Sequence, residues 1–434
     1  MTNDHIIIIG AGAAGLMASM ELSKAGRKVT VLEARHYLGG RIHTLYGLPF
    51  ATHAEMGAEF VHGDLPVTLN LLKEAGISYH KAGGEMWQAT DGMLRQEYWQ
   101  TPHWDLFEER LKMLEKDMTI DELLNKYFAE EKYAEVRDHA KRYVAGYDTA
   151  DPAKASSFAL RDEWLGEEHG ATHYPDTGYQ PMISYMADKC KAHGGAIHTD
   201  CVAKQIKWEK DKVSIVTDNG AVYEGNKVII TLPVGILQAG EDEPAAISFS
   251  PALPEIKEAI NDMAMGAVIK ILLQFSEPFW ENKEITRQAG KSMEDMGFII
   301  SQQPVPTFWT QYPEKNALLT GWLGGTRAAA LKDASDEKIL EMTINSLASI
   351  FSMPVAELTR LITTSKVINW VADVYSRGSY SYATTKTGAA RKILGTPVEH
   401  TIYFAGEAMY DGPEMGTVEA ALASGKYIAG MITK

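Results

Sequence analysis

Gly10-Ala11-Gly12-Ala13-Ala14-Gly15 follows the β-branched apolar run His5 to Ile9, and a second apolar run, Lys28 to Leu32, closes on Glu33. Glycines at this spacing serve a phosphate by leaving room for it. Gly10 permits a tight turn, Gly12 lets backbone approach a pyrophosphate with no Cβ between, and Gly15 lets the following helix pack close to the sheet. The amides and dipole at that helix N-terminus attract phosphate oxygens. Glu33 can accept hydrogen bonds from both ribose hydroxyls, which disfavours a 2′-phosphorylated nucleotide. Lys270 poses a different chemistry. It stands inside Val268-Ile269-Lys270-Ile271-Leu272-Leu273-Gln274-Phe275, a run otherwise apolar on both faces. Burying an ammonium is costly, so this lysine is paired, neutral or on an exposed strand face. Tyr375-Ser376-Arg377-Gly378-Ser379-Tyr380-Ser381-Tyr382 puts three tyrosines in eight residues. Spacing alone allows an edge strand; a cage of such rings would attract a cation through its π faces.

The elements that must position these groups can be read from periodicity. His5 to Ile9 and Lys28 to Leu32 read as strands buried on both faces, flanking a helix over Leu16 to Ala25 closed by Gly26. Ile197 to Ile206, Val213 to Thr217 and Lys227 to Thr231 carry further strand signal, with Asp218-Asn219-Gly220 as a hairpin turn. Ala267 to Phe275 reads as a strand that ends at Pro278-Phe279-Trp280. Between about Trp99 and Arg142 the periodicity turns helical, with amphipathic helices over Asp105 to Glu115 and Ile120 to Glu130 and their charges on solvated faces. Tyr403-Phe404-Ala405-Gly406-Glu407 reads as a short strand meeting a glycine and an acid. Gly416-Thr417-Val418-Glu419-Ala420-Ala421 then opens an alanine-rich terminal helix.

Composition narrows the function classes. The chain has 434 residues, 45% hydrophobic and 23% charged, with a formal charge of −15. That is globular composition with length for two or three domains, and an acidic surface that repels nucleic acid and anionic lipid while favouring cations. No apolar run reaches the roughly 18 residues of a membrane span. The two cysteines, Cys190 and Cys201, form no CxxC, and the histidines have no zinc-site spacing, so no metal is expected and a reducing cytoplasm is the expected compartment. No linker or repeat divides the chain, and Gly321-Trp322-Leu323-Gly324-Gly325 does not make a second dinucleotide motif.

Glu33-Ala34-Arg35 leads into Gly39-Gly40-Arg41-Ile42-His43-Thr44, and Gly57-Ala58-Glu59-Phe60-Val61-His62-Gly63 comes next. With the tyrosine string and the two C-terminal motifs, these segments resemble the FAD-containing amine oxidases: polyamine oxidases, monoamine oxidases and lysine-specific histone demethylases. The resemblance runs from Ile6 to the end, through five separated motifs in family order. It implies an α/β fold in which a Rossmann-like FAD-binding domain of the glutathione-reductase type (1–78, 180–257 and 371–434) interleaves with an α+β substrate domain. That second domain (79–179 and 258–370) would carry a mixed sheet and a helical insertion, with 79–179 largely helical.

The same resemblance implies non-covalent FAD, because Ser381 stands where monoamine oxidases carry a flavin-linking cysteine. Gly10, Gly12, Ala14, Gly15, Glu33, Ala34, Arg35, Gly40 and Arg41 would hold its nucleotide half. Gly57, Ala58 and Glu59 would run beneath the flavin, Val202 would meet the adenine, and Trp370, Gly406, Glu407, Thr417 and Val418 would complete the site. Lys270 would hold a water against the flavin, Tyr382 would form one wall of the aromatic cage, and Thr417 would stand where monoamine oxidases have the second tyrosine. Trp370 adjoins these groups, and His62 would meet substrate. The implied reaction is oxidation of a small amine, a polyamine or related compound, by hydride transfer from its α-carbon; the imine is hydrolysed and oxygen yields hydrogen peroxide. The chain would act as a monomer or homodimer. Two alternatives stay open: an L-amino-acid oxidase, which needs an arginine clamp from residues such as Arg287, Arg327 or Arg377, and a flavin-binding interaction protein with little catalysis.

Overall fold

The computed structural model describes residues 4–50, 53–90, 92–96, 101–165 and 170–434. The Ile6–Ile9 run lies, as its β-branched residues require, in the middle of a sheet covered on both faces. That sheet is parallel and five-stranded, in the order Ala196–His198, Lys28–Leu32, His5–Ile9, Lys227–Ile230, Ile402–Phe404. One face packs against the helices Ala13–Lys24, Gln180–Ala192 and Val418–Thr433. The other packs against a four-stranded sheet (Ala203–Glu209, Lys212–Thr217, Val222–Gly225, Ser248–Ser250) and the helices Pro254–Asn261 and Thr387–Leu394. Two glycines make the helix packing possible. A Cβ on Gly15 would lie 2.0 Å from the Gly10 carbonyl oxygen, and one on Gly425 would lie 2.2 Å from that of Ala14. The strands of this sheet come from the beginning, middle and end of the chain, so the fold closes by crossings.

A second sheet has seven strands, in the order Ile362–Asn369, Val268–Phe275, Leu318–Gly324, Thr307–Trp309, Met296–Ser301, Glu85–Thr90, Met93–Arg95. It is antiparallel except where Met296–Ser301 runs parallel to Glu85–Thr90. Every residue of Val268–Phe275 is buried, and the strand's alternation divides its side chains. Ile269, Ile271, Leu273 and Phe275 enter the apolar core with Phe279, Phe308 and Leu347. Val268 and Lys270 face a large cavity instead. A third unit of four helices, Trp104–Lys112, Ile120–Tyr127, Ala134–Gly146 and Ser157–Leu165, packs around Phe107, Leu123, Leu124 and Val144.

Several boundaries differ from the sequence reading. The strand expected over Ile197–Ile206 is two strands in two different sheets. The chain leaves the parallel sheet at Asp200, whose φ is +52°, and the amides of Asp200 and Cys201 donate to the carbonyls of Arg35 and Glu33. The hairpin turn at Asp218-Asn219-Gly220 joins Lys212–Thr217 to Val222–Gly225, a strand absent from the sequence reading. Pro278-Phe279-Trp280 leads into a 3₁₀ turn. The first helix begins at Ala13, three residues before the expected Leu16, which brings its N-terminus directly behind Gly12. Segment 79–179 carries strands at Tyr79–Lys81, Glu85–Thr90, Met93–Arg95 and Thr172–Pro175 besides its helices. Trp99, the expected start of the helical stretch, lies outside the described residues.

Candidate active site

A single cavity of about 1200 Å³ runs from the Gly10–Ala14 turn to the helical unit. Single-ligand pockets generally occupy about 300–1,000 Å³. This one has room for a dinucleotide and a further small molecule.

At its first end, the opening amides of helix Ala13–Lys24 have no acceptor within their own helix. Gly12 leaves the space above them open: a Cβ there would meet only the Gly39 carbonyl oxygen, at 3.8 Å. Glu33 is buried, its Oε2 accepting from the Ala11 amide at 2.7 Å and its Oε1 from the Arg35 amide at 2.9 Å. Burial pushes its carboxyl upward, and the backbone donors oppose that. Each oxygen keeps a further lone pair for a hydroxyl. Ala34, Cys201 and Val202 line the cavity beside it. Arg35 borders the cavity too, but its guanidinium grips Asp373 through two bonds, 3.0 and 2.6 Å, and Ser376 through a third. It therefore ties the Glu33 end of the cavity to the 370–382 loop.

Gly40 and Arg41 form the middle. Arg41 Nη1 donates to the Ser379 carbonyl at 2.6 Å and to Glu407 Oε1 at 2.9 Å. Glu407, 5% exposed, also accepts from the Ser381 amide and hydroxyl. Beside it Gly406, at φ +143°, would aim a Cβ into space with no atom within 4 Å. A second helix N-terminus meets this region. Thr417 caps Val418–Thr433 by accepting from the Ala420 amide, and both Thr417 and Val418 line the cavity.

Lys270 closes the far side. Its Nζ donates to Glu59 Oε2 at 2.6 Å and to the Gly57 carbonyl at 3.1 Å, with the lysine side chain 1% exposed and the glutamate 5%. Glu59 Oε1 accepts from Trp309 Nε1 at 3.0 Å and from Gln311 at 2.9 Å. The ammonium is thus paired, with two of its three N–H groups donating, and Lys270 also lines the cavity. Gly57 has to be glycine, since a Cβ would lie 1.8 Å from the Arg41 carbonyl oxygen. Trp370 packs beside it and donates from Nε1 to the Met56 carbonyl at 2.9 Å.

Every residue expected at the site lines this cavity except Gly15, which lies beneath the turn as a packing contact, and Tyr382. Tyr382 corrects the sequence reading. It pairs with Ala264 across a two-stranded ribbon and packs into the apolar core of the helical unit. Tyr380 lines the cavity in its place, with its hydroxyl donating to the Tyr147 carbonyl. The residue before the cavity-facing tyrosine is then Ser379 rather than Ser381. Cys201 borders the cavity near Glu33.

Residues that sequence reasoning missed form the aromatic end. Phe60 lies 5.8 Å from Trp309 between ring centroids, and Trp309 lies 5.8 Å from Trp322. His62 sits 6.2 Å from Tyr147. The accessible surface of His62 opens onto the cavity, whose enclosing walls push its imidazole down to about 4 and keep it neutral near pH 7. The helical unit adds Tyr143, Tyr147, Asp148 and Glu163, so its polar residues are not all on solvated faces. Tyr143 donates to Glu163 Oε1 at 2.7 Å, and the Asp148 and Glu163 carboxyls hydrogen-bond to each other, both pushed upward first by burial. The spacing of Tyr143 and Tyr147, one helical turn apart, was the available signal for this wall; nothing local marked Glu163.

The parallel sheet opens through one cavity onto a buried lysine and an aromatic chamber, and solved amine oxidases share the fold. Putrescine oxidase bound to putrescine matches with a TM-score of 0.79 at 21% identity, covering 99% of this chain and 98% of that one. Cyclohexylamine oxidase from Brevibacterium oxydans IH-35A matches with a TM-score of 0.79 at 19% identity, covering 99% of each chain. The family model for flavin containing amine oxidoreductases matches residues 13–433, so the chain belongs to that family and its cofactor is a flavin. Lysine-specific histone demethylase 2 of Homo sapiens is 27% identical over 441 residues, covering 94% of this chain but 50% of that protein. The chain therefore spans about half the length of that relative. Polyamine oxidase 4 of Oryza sativa subsp. japonica is 26% identical over 455 residues, covering 97% of this chain and 86% of the relative.

Proposed function

We propose that the chain is an FAD-dependent oxidase of small amines, with diamines or polyamines as its preferred class and oxygen as acceptor. The observation that carries this reading is the continuity of one cavity from the glycine cradle to the Lys270 ammonium and the chamber of aromatic rings and paired carboxyls. Bound FAD would supply the two-electron acceptor for oxidation of the amine at its α-carbon to an imine, with oxygen as the terminal acceptor.

The first-turn amides behind Gly12 and the Arg41 guanidinium would hold the pyrophosphate, and Glu33 the ribose. Glu33 favours a nucleotide without a 2′-phosphate. Of the two cysteines, Cys190 is buried with Gly195 against it and Cys201 sits near Glu33. Neither stands beside Tyr380, which supports non-covalent binding. The terminal helix's N-terminus, capped by Thr417, brings positive potential to the cavity. The remaining N–H of Lys270 would fix a water on the cavity side.

Tyr380, Trp309 and Trp322 would orient the amine and exclude bulk water, and a neutral His62 would accept a hydrogen bond from it. Asp148 and Glu163 would receive a second ammonium on the same molecule. A carboxylate-bearing substrate would meet these acids first. Arg377, one candidate clamp for an amino acid, is already paired with Glu243.

Anaerobic titration of the purified, flavin-loaded protein tests the proposal. Spermidine, putrescine or a simple monoamine should bleach the flavin absorbance, and air should restore it with peroxide release. Bleaching by amino acids alone would transfer the assignment to an amino-acid oxidase, and bleaching by no reductant would favour a flavin-binding interaction protein.

A further inference from the structure

Asp148 and Glu163 belong to different segments of the helical unit, yet their side chains meet at the cavity wall. Ionised carboxylates only accept hydrogen bonds, so two of them in contact require a proton between them. Tyr143 already donates to Glu163 Oε1 at 2.7 Å, and its ring stacks 5.6 Å from that of Tyr147. Among the described residues, Glu163 is the charged group that acts on Asp148, and Tyr143 and Asp148 are the groups that act on Glu163.

Among the described residues, the histidines and tyrosines facing this wall do not exchange a proton near neutral pH. His62 is held down to about 4, Tyr147 is pushed up to about 12, and Tyr143 and Tyr380 are also raised, all chiefly by burial. His139, farther along the cavity on the helix Ala134–Gly146, is lowered by burial and stays neutral. Arg142 on that helix is paired with Asp138, and the exposed Arg327, on a short helix packed against the same helix, lies close enough to act on Arg142. The carboxyl pair therefore holds the exchangeable proton of this wall.

We infer that Asp148 and Glu163 form one cation-receiving site that exchanges their shared proton for the second ammonium or guanidinium of a dicationic substrate. This rests on the amine-oxidase reading and deepens it. The balance involves no electrons: the carboxyl O–H bond breaks, its proton goes to solvent, both groups become carboxylates, and the incoming cation's N–H groups donate to them. The charge released equals the charge received, so the wall keeps its net charge on docking. A singly charged amine has no second cation to trade and leaves the proton in place. Specificity for two charges thus resides in the proton count as well as in cavity length.

The test is isothermal titration calorimetry of the flavin-loaded protein at pH 7, in two buffers of different ionisation enthalpy. The probes are 1,4-diguanidinobutane and butylguanidine, whose charges are fixed at that pH. Any proton released comes from the protein. Wild type should release about one proton per bound diguanidine and none with butylguanidine. Glu163→Gln should still bind the diguanidine but release none. Binding without release in wild type, equal release with both probes, no binding of the diguanidine, or release unchanged in Glu163→Gln each overturns the inference. Should the variant not fold, the comparison of probes on wild type decides alone. A flavin that spermidine bleaches while no proton leaves sinks this inference and spares the amine reading; a flavin that no amine bleaches sinks the reading itself.

Discussion

Replacing Lys270 by methionine leaves a buried carboxylate without its counter-charge, and the structure sets the size of the penalty. Breaking a buried ion pair by removing one partner costs about 3–5 kcal/mol. Glu59 keeps two donors on Oε1, from Trp309 and Gln311, while Oε2 loses the ammonium 2.6 Å away. The lower end, about 3 kcal/mol, is the expected cost. Spread over 434 residues at about 2.1 cal/mol/K each, the unfolding entropy is about 0.9 kcal/mol/K, so Tm should fall by about 3 °C. Adding Glu59→Gln removes the orphaned charge yet keeps an acceptor for Trp309, and the double variant should melt within about 1 °C of wild type. Differential scanning calorimetry of wild type, Lys270→Met, Glu59→Gln and the double variant closes the cycle. A double variant melting as low as Lys270→Met, or lower, would refute the coupling on which the site's electrostatics are built. Stopped-flow adds a functional arm. Loss of a charged donor worth about 1.5 kcal/mol should slow reoxidation by oxygen roughly tenfold, with the amine half-reaction changed less. Equal slowing of both steps would remove the water-holding role proposed for the lysine.

Tyr380→Leu should lower kcat/KM for amines about tenfold, from a lost cation–π contact of about 1–2 kcal/mol, whereas Tyr382→Phe should change it less than about twofold; the reverse ranking in steady-state assays would return the aromatic wall to Tyr382. Glu33→Gln turns an N–H₂ toward one of the two amides that Glu33 now accepts. The loss of about 1.5–3 kcal/mol should weaken FAD binding ten- to hundredfold in fluorescence titrations of apoprotein. Glu55 is buried, with Thr44 donating to it and the Tyr179 amide at 2.7 Å, and burial raises its carboxyl to about 7. A raised carboxyl stabilises the fold fully below its unfolded value near 4.5 and loses that contribution as pH climbs to 7. Wild type should therefore lose about 3 kcal/mol between pH 4.5 and 8 through this group, and Glu55→Gln should flatten that slope in thermal melts across pH; parallel slopes would contradict the assignment.

How far the site could be read in advance depended on the distance over which each feature is decided. The cradle was legible because its requirements are local. A β-branched run buried on both faces, three glycines at close spacing and an acid ending the next strand constrain one another within His5 to Glu33, and the steric limit at Gly15 comes from the nearby Gly10 backbone. The lysine inside an apolar run was legible as an anomaly, but whether it was paired, neutral or on an exposed strand face was not; its burial is shown by the fold. Its partner was not legible, because Glu59 lies 211 residues away and the 2.6 Å contact exists only once the 57–59 loop crosses the second sheet. The Arg41–Glu407 pair, separated by 366 residues, is hidden in the same way.

The aromatic wall shows the limit most clearly. Tyr380 and Tyr382 have the same side-chain type and a spacing that puts both on one face of an ideal strand. Only the two-residue pairing of Ser381–Tyr382 with Ala264–Met265 turns Tyr382 into the helical core and leaves Tyr380 on the cavity. The proton between Asp148 and Glu163 is likewise a tertiary property, because desolvation and a like charge brought close in space raise a carboxyl whatever its sequence neighbours are. The amino-acid order by itself determined the glycine turn behind the first strand, the two-sided burial of the central strands and the presence of a lysine out of place in an apolar run. Tertiary structure alone decided which partner it found, which tyrosine faces the cavity and which acids meet there, since those walls are assembled from segments that touch only after the chain has closed.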